Sequence, residues 1–349
     1  MRKGKRTPHR PFRPSLDANG SKNALRENGF VRSSKSFPPE NKTLEQEEAD
    51  MTRSGLILLC CALFLAAFSS GEAFAMGHGK AAPEKKGILV VAFGTSVPEA
   101  RNAIDTLVDA ARKAFPDAEV RTAYTSNIIR RKVLAEEGKI IDSPLIALAR
   151  MQDEGFTHVV VQPTHVIRGE EFDDLAEVTD ALARLERKYS FRAVAMGDPF
   201  LSSFEDYGKM VSILQRTYGD RAKGDGAVVF MGHGSPHPAN AAYSQMQLLF
   251  DERGLRFALG TVEGFPSLDM VLERLETMGA KRVTLVPFMI VAGDHARNDM
   301  ADPEDPESWR SVLESKGYRV NPVIEGLGSN PEVAALFVEH LRVTAQHIF

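Results

Sequence analysis

The sequence predicts an α/β protein made of two similar doubly wound parallel-sheet lobes, with the functional site in the cleft between them. Apolar runs of strand length alternate with helix-length segments from Gly87 onward, which is typical of parallel sheets covered by helices. The same order of elements occurs twice, and short motifs recur at equivalent places. We therefore predict an N-terminal lobe over residues 87–222 and a C-terminal lobe over 223–349, related by internal duplication.

The first half begins with a strand and a helix. Residues 88–93 are a continuous apolar run that ends at Gly94, as expected for a strand buried on both faces of a sheet. Residues 98–115 follow with the apolar spacing of a helix. The remaining strands of this half are predicted over 119–124, 158–162 and 191–195.

The second half repeats this alternation. Strands are predicted over 227–231, 256–262, 281–286 and 318–324. The helices are predicted over 239–252, 266–277 and 331–347, with further helical segments from the strand at 281–286 through residue 315. Strands that alternate with helices in this way form parallel sheets.

Two pairs of motifs indicate a duplication. The segment 94–98, Gly-Thr-Ser-Val-Pro, resembles 234–238, Gly-Ser-Pro-His-Pro, at an offset of 140 residues. The segment 155–163 with Gly169 resembles 279–287 with Gly293 at an offset of 124. The alternative is that all parallel strand–helix units look alike, but the shared proline and glycine spacing of the second pair favours duplication.

Composition excludes several kinds of protein. A formal net charge of −4 argues against a nucleic-acid binder, which would present a basic surface. The only cysteines, Cys60 and Cys61, are adjacent in an apolar run, which excludes a disulfide scaffold and a cysteine-ligated zinc site. Any metal is therefore expected on His, Asp or Glu.

The N-terminal quarter is expected to lie outside the fold. Residues 1–50 are polar and are predicted to be disordered or an extension upstream of a true start at Met51. Residues 51–75 have a basic start, a short apolar stretch and an Ala-Phe-Ala end, which predicts a cleaved signal peptide and a periplasmic protein. The alternative, a membrane anchor, would need ~20 apolar residues. Residues 76–86 are expected to be a flexible lead-in.

Three metal-ligand side chains each follow a strand of the second half. His233 lies between two glycines after the first strand, Glu263 follows the next, and His295 follows the third. Parallel strands deliver such residues to one sheet edge, and two imidazoles with one carboxylate suit Zn, Fe, Co or Ni with positions left open. Taken singly, they could be a turn histidine, a helix cap and a loop histidine. His340 is expected at the surface.

The first half offers residues that would line the opposite wall of the cleft. By the motif offsets, Phe93 corresponds to His233 and Glu171 to His295. The predicted lining residues are Phe93, Thr95, Ser96, His165, Arg168, Glu170 and Glu171. His165 and the acidic pair could relay protons, or Glu171 could bring a carboxylate to the metal from across the cleft. The equally weighted alternative for the acidic pair is a helix cap.

The motifs resemble the anaerobic sirohydrochlorin cobaltochelatases of the CbiK type, class II chelatases related to ferrochelatase. The segments that carry the resemblance are 232–234 Gly-His-Gly, 262–266 Val-Glu-Gly-Phe-Pro, 286–300 Val-Pro-Phe-Met-Ile-Val-Ala-Gly-Asp-His-Ala-Arg-Asn-Asp-Met and 162–172 Gln-Pro-Thr-His-Val-Ile-Arg-Gly-Glu-Glu-Phe. The resemblance covers about residues 86–347. It implies a chelatase-like fold, ATP-independent insertion of Co²⁺ into sirohydrochlorin, and metal handling by His233, Glu263 and His295. A signal peptide departs from the family, whose members are mostly cytoplasmic.

The expected chemistry follows from these residues. Ring N–H protons must leave as the metal enters, and a neutral imidazole, His233 by preference, would accept one of them. Arg168 and the basic run 130–132 could meet the acidic rim of the ring, although a solvated helix face is favoured for 130–132. The predicted partners are a tetrapyrrole and a divalent metal, with no nucleic acid and no membrane span in the mature form.

Other functions remain open on the sequence. A periplasmic metal or haem carrier on the same fold would use the same ligands. An iron chelatase is a second alternative, because similar sites bind Co²⁺, Fe²⁺ and Ni²⁺. A phosphate-binding protein is disfavoured, because no Gly-rich phosphate loop is present. A homo-oligomer with haem at a subunit interface is conceivable, but no residue demands haem.

Overall fold

A computed structural model describes residues 83–349. The predicted extension, signal peptide and most of the lead-in lie outside the described residues. Within 83–349, none of the helices has both the length and the apolar character needed to cross a bilayer.

The first four strands form one parallel sheet with the order β2-β1-β3-β4. They are β1 Lys86–Ala92, β2 Glu119–Tyr124, β3 His158–Pro163 and β4 Ala193–Met196. Residues 88–92 are almost fully buried, because β1 lies between two strands and helices cover both faces of the sheet. The continuous apolar run in the sequence has this origin.

The last four strands form a second parallel sheet with the equivalent order β6-β5-β7-β8. They are β5 Gly226–Gly234, β6 Phe257–Glu263, β7 Arg282–Pro287 and β8 Arg319–Pro322. In both sheets the first strand of the half is central and pairs with the second and third strands. The predicted α/β class with two similar lobes is therefore confirmed.

Ten α-helices connect and cover these strands in the described part of the chain. In the first half they are α1 Asn102–Ala114, α2 Asn127–Glu137, α3 Pro144–Asp153, α4 Glu170–Ala183 and α5 Phe204–Tyr218. In the second half they are α6 Ala241–Glu252, α7 Leu268–Thr277, α8 Asp294–Arg297, α9 Trp309–Ser315 and α10 Pro331–Ala345.

Two helices pack across the predicted boundary between residues 222 and 223. α5 packs against α6, and Tyr218 on α5 meets Phe230 of β5 edge-on at 5.7 Å. α10 packs against α1 and β3, and its Phe337 lies 6.2 Å from Phe200 of the first half. A buried apolar cluster consequently contains residues of both lobes.

One polar pair joins these two helices, and it corrects the expectation for His340. Its side chain is only 10% exposed, and Nε2 lies 2.9 Å from Oδ1 of Asp206 on α5. Asp206 also accepts bonds from Ser203 and Ser202. The surface prediction for His340 was wrong, because a polar residue on a helix can be buried by a partner 134 positions away.

Candidate functional site

Two predicted ligands, His233 and His295, lie together at the carboxyl edge of the second sheet. His233 is the second-last residue of β5, and His295 is inside the short helix α8 that follows β7. The two ring centroids are 4.6 Å apart and the rings are nearly perpendicular, at 88°. Both side chains are partly exposed, so the pair is accessible from the edge of the sheet.

Among residues 83–349, both imidazoles form their hydrogen bonds through Nδ1 and leave Nε2 without a partner. Nδ1 of His233 lies 2.9 Å from the carbonyl oxygen of Gly234, which can only accept, so Nδ1 carries the proton. Nδ1 of His295 lies 2.5 Å from Oδ2 of Asp299, four residues along the chain, and an ionised carboxylate likewise only accepts. Each Nε2 therefore keeps a free lone pair. A histidine that donates Nδ1–H to a carbonyl or carboxylate is the usual form of a metal-binding histidine.

Glu263 reaches the same edge but stands apart from the two imidazoles. It ends β6 and is the register partner of Gly234, and its side chain is exposed. In the part of the chain that the structure describes, no three His, Cys, Asp or Glu side chains are close enough to hold a metal ion together. The structure thus brings two of the three predicted ligands together, and the third lies beside them in the sheet.

At Gly234 the end of β5 lies in close backbone contact with the end of β6. Its φ is +88°, and a Cβ added there would come 1.6 Å from the carbonyl oxygen of Glu263. Only glycine fits a left-handed position in such close backbone contact. The second glycine of Gly-His-Gly is therefore required by the packing of the strand that carries His233.

Asn240 ties the loop after β5 to the loop after β6. Its Oδ1 accepts a bond from the backbone N–H of Ser235 at 3.0 Å. Its Nδ2 donates to the carbonyl oxygen of Phe265 at 2.6 Å. One side chain thereby positions the segments that bear His233 and Glu263. Sequence reasoning missed Asn240 and Asp299; the spacing of Asp299 four residues after His295 was a visible signal for the second.

The first lobe meets the His295 segment through its Gly-Thr-Ser loop. Thr95 and Ser96 are buried, and a Cβ added at Gly293 would lie 3.2 Å from Oγ1 of Thr95. Arg101 donates to the backbone carbonyls of Thr95 and Ser96, both at 3.4 Å, and forms an ion pair with Glu137. Hydrogen bonds from Arg101 and, to a smaller extent, from Lys139 lower the pKa of Glu137 to about 2. This ion pair holds the cleft side of the loop in place.

The other predicted lining residues of the first lobe differ in burial and in their contacts. Phe93, which follows β1 directly, is 45% exposed. Burial lowers the pKa of His165 to about 4, and neither ring nitrogen has a hydrogen-bond partner among residues 83–349. His165 is thus neutral at neutral pH. Arg168 stacks on Phe172 at 5.1 Å and is 3.7 Å from Asp173.

The acidic pair lies at the start of α4. Glu170 and Glu171 are the first two residues of the helix, and Gly169 precedes them without a side-chain cap. Carboxylates are favoured at such an end by the helix dipole, so this position agrees with the alternative reading of a capping pair. A role for Glu171 at the cleft stays a prediction.

Comparison with known proteins identifies close relatives. A family model described as "Cobalt chelatase (CbiK)" matches residues 86–346. A sirohydrochlorin cobaltochelatase of Salmonella typhimurium is 36% identical over 259 residues, which cover 74% of this chain and 95% of that protein. The sirohydrochlorin cobaltochelatase CbiKC of Nitratidesulfovibrio vulgaris is 38% identical over 257 residues, which cover 74% and 89%.

A solved structure shares the fold. SirB from Bacillus subtilis, determined with Fe³⁺, superposes with a TM-score of 0.51 at 16% sequence identity. The match covers 75% of this chain and 96% of SirB. At this identity the likeness concerns the arrangement of strands and helices, and the resemblance stated from the motifs is confirmed by the family match.

Proposed function

Because the chain belongs to the cobalt chelatase (CbiK) family and is a metal chelatase, we propose that it inserts Co²⁺ into sirohydrochlorin without ATP. The observation that carries the proposal is the pair of imidazoles, His233 and His295, each with a free Nε2 at one sheet edge. The relatives named sirohydrochlorin cobaltochelatase support the choice of metal and ring. The absence of a Gly-rich phosphate loop from the sequence supports independence from ATP.

The incoming metal is bound by His233 and His295 through Nε2. Glu263 is the third ligand, and its exposed carboxylate has to turn toward the two rings to join them. A site of two imidazoles and one carboxylate leaves coordination positions open, and the ring nitrogens need those positions. Such a donor set also accepts Fe²⁺ and Ni²⁺, so both belong in the assay as competing substrates.

Proton transfer is coupled to the release of the metal by the protein. One lone pair on Nε2 of His233 cannot hold the metal and a proton together. As the bond from Nε2 to Co²⁺ breaks and a bond from Co²⁺ to a pyrrole nitrogen forms, the freed lone pair takes the proton that this nitrogen loses. The second ring proton passes in the same way to Nε2 of His295 when its bond to Co²⁺ breaks. The carbonyl oxygen of Gly234 accepts a hydrogen bond from Nδ1–H of His233. This bond orients the imidazolium until the proton on Nε2 passes to water.

Exposed aromatic side chains stand at the carboxyl ends of both sheets. Phe93 follows β1 and is 45% exposed, and Phe265 lies in the loop after β6 and is 55% exposed. A macrocycle buries a large apolar face, and exposed aromatic rings are suited to cover it. We assign these two side chains to the faces of the ring, and Thr95, Ser96 and Arg168 to its surroundings.

The test follows the absorption spectrum of metal-free sirohydrochlorin after addition of Co²⁺ to the full-length protein. Wild-type protein is expected to accelerate insertion, and the His233→Ala and His295→Ala variants are each expected to lose most of that rate. His347→Ala is the matched control, since His347 is exposed near the C-terminus and should leave the rate unchanged. If wild-type protein binds the metal tightly but does not accelerate insertion, the chelatase proposal is refuted and a metal carrier is favoured.

We also propose that the protein is exported to the periplasm after removal of residues 51–75. The basic, apolar and Ala-Phe-Ala regions of that segment support export. Mass spectrometry of the protein purified from its own cells should find an N-terminus at Met76 in the periplasmic fraction. A cytoplasmic protein that retains residues 51–75 would refute export and leave the chelatase activity unaffected.

A further inference from the structure

The short helix that carries His295 is tied to the first lobe at both ends. Oδ2 of Asp294, its first residue, lies 3.3 Å from Nζ of Lys132 on α2. Nη2 of Arg297, its last residue, lies 3.4 Å from Oε2 of Glu99 in the segment between β1 and α1. The two ion pairs flank His295. In one of them the first lobe supplies the cation, Lys132, and in the other the second lobe supplies it, Arg297.

Both ion pairs are exposed and easily exchanged. The side chains of Lys132 and Asp294 are 42% and 48% exposed, and those of Arg297 and Glu99 are 44% and 72% exposed. Exposed ion pairs contribute little to stability, because water solvates the separated charges well. Among the described residues, each cation has only this one carboxylate as an ion-pair partner. A carboxylate from outside could therefore replace it at small cost.

The balance of charge over the whole chain makes local cations necessary. The formal net charge is −4, so the overall field does not attract a substrate that carries many carboxylates. Favourable contact with such a substrate has to come from cations placed near its bound position. Lys132 and Arg297 meet this condition, because the ion pairs they form flank the proposed metal ligand His295 on both sides.

We propose that Lys132 and Arg297 bind carboxylates on the rim of the tetrapyrrole, and that Asp294 and Glu99 occupy these cations while the ring is absent. This inference rests on the proposed function, since the ring must be centred on the metal held by His295. A ring carboxylate is the same chemical group as the side chain it displaces, so each cation exchanges one partner for another of equal charge. Recognition in this way selects polycarboxylate rings over rings with esterified or missing carboxylates.

The sign of the effect separates this role from a structural one. Lys132→Gln and Arg297→Gln each remove a cation and are expected to raise the Kd for metal-free sirohydrochlorin about tenfold, measured by fluorescence quenching. KM should rise in parallel while kcat changes little. Glu99→Gln removes the internal competitor of Arg297 and is expected to tighten ring binding. If the ion pair of Glu99 with Arg297 had only a structural role, Glu99→Gln and Arg297→Gln would both weaken ring binding.

Lys209→Gln is the matched control, because Lys209 pairs with Glu205 and Glu339 on α5 and α10 and its loss should leave ring binding unchanged. Weaker ring binding by Glu99→Gln, or wild-type affinity in both cation variants, overturns the assignment. In that case wild-type insertion and ring binding remain, so the proposed function survives. A wild-type protein that neither binds the ring nor accelerates insertion overturns both.

Discussion

The carboxylate behind His295 provides the most direct test of the site. In the Asp299→Asn variant, a neutral amide replaces the charged acceptor that lies 2.5 Å from Nδ1 of His295. A hydrogen bond to a charged acceptor is worth about 1.5–3 kcal/mol and a neutral one about 1. The two side chains are 43% and 41% exposed, so solvent screening places the loss near the lower end of the difference. We expect Co²⁺ affinity to fall about twofold to fivefold.

Calorimetric titration of Co²⁺ into the protein measures this change directly. Asp299→Ala should weaken binding further, by about tenfold to a hundredfold, because nothing then fixes the proton on Nδ1. Insertion by either variant should recover as Co²⁺ is raised to saturation. Asp180→Asn, an exposed carboxylate on α4, controls for the loss of one negative charge. If Asp299→Asn binds Co²⁺ as tightly as wild type, the carboxylate does not support the histidine as a metal ligand.

Two further predictions concern the scaffold around the site. Asp206→Ala removes the capping box with Ser203 and leaves the buried His340 unpaired. It should therefore lower the free energy of unfolding by about 2–4 kcal/mol and the Tm by roughly 5–10 °C. A fall in Tm of less than ~2 °C would contradict this prediction. Burial opposes ionisation of Asp206, but hydrogen bonds from Ser203 and His340 outweigh it and lower its pKa. The stabilisation is therefore present above the unfolded value near ~3.9 and is lost as pH falls through the folded value, as acid titration of wild type and variant would reveal. Asn240→Ala removes the hydrogen bonds that join the loops after β5 and β6. It should reduce the rate of Co²⁺ insertion about tenfold to a hundredfold with little loss of stability. Asn102→Ala, at an exposed asparagine, is the control and should change neither the insertion rate nor the stability.

The fold was predictable because local patterns determine most of it. The strand predicted over 119–124 is observed as Glu119–Tyr124, since its apolar residues have to face the core in register with β1. The last strand was predicted over 318–324, but Arg319–Pro322 is shorter. Within the described residues it is an edge strand that pairs with β7 alone, and the last hydrogen bond to β7 runs from the N–H of Val323 to the carbonyl oxygen of Leu285 at 2.8 Å. The apolar pattern runs past the point where pairing stops.

The site was predictable only in part. Parallel strands bring their carboxyl ends to one edge, which explains why His233 and His295 are found together. The same rule gives no information about side-chain direction, and the exposed Glu263 is not close enough to complete a three-residue metal site with them in the described part of the chain. Tethers such as Asn240 and the pair of Asp206 with His340 depend on contacts between distant segments. No periodicity in the sequence encodes such contacts.

The exchange of helices between the lobes bears on how a large ring enters the cleft. α5 precedes the predicted boundary yet packs with the second lobe, and α10 ends the chain yet packs on the first. Lobes joined by two helices and a shared apolar cluster resist wide hinge opening, because opening would expose buried side chains. The weak contacts at the cleft are instead the exposed ion pairs of Lys132 and Arg297. Entry of a polycarboxylate ring through local exchange of these ion pairs requires far less free energy than separation of the lobes, so the edge beside His295 is where we expect the ring to enter.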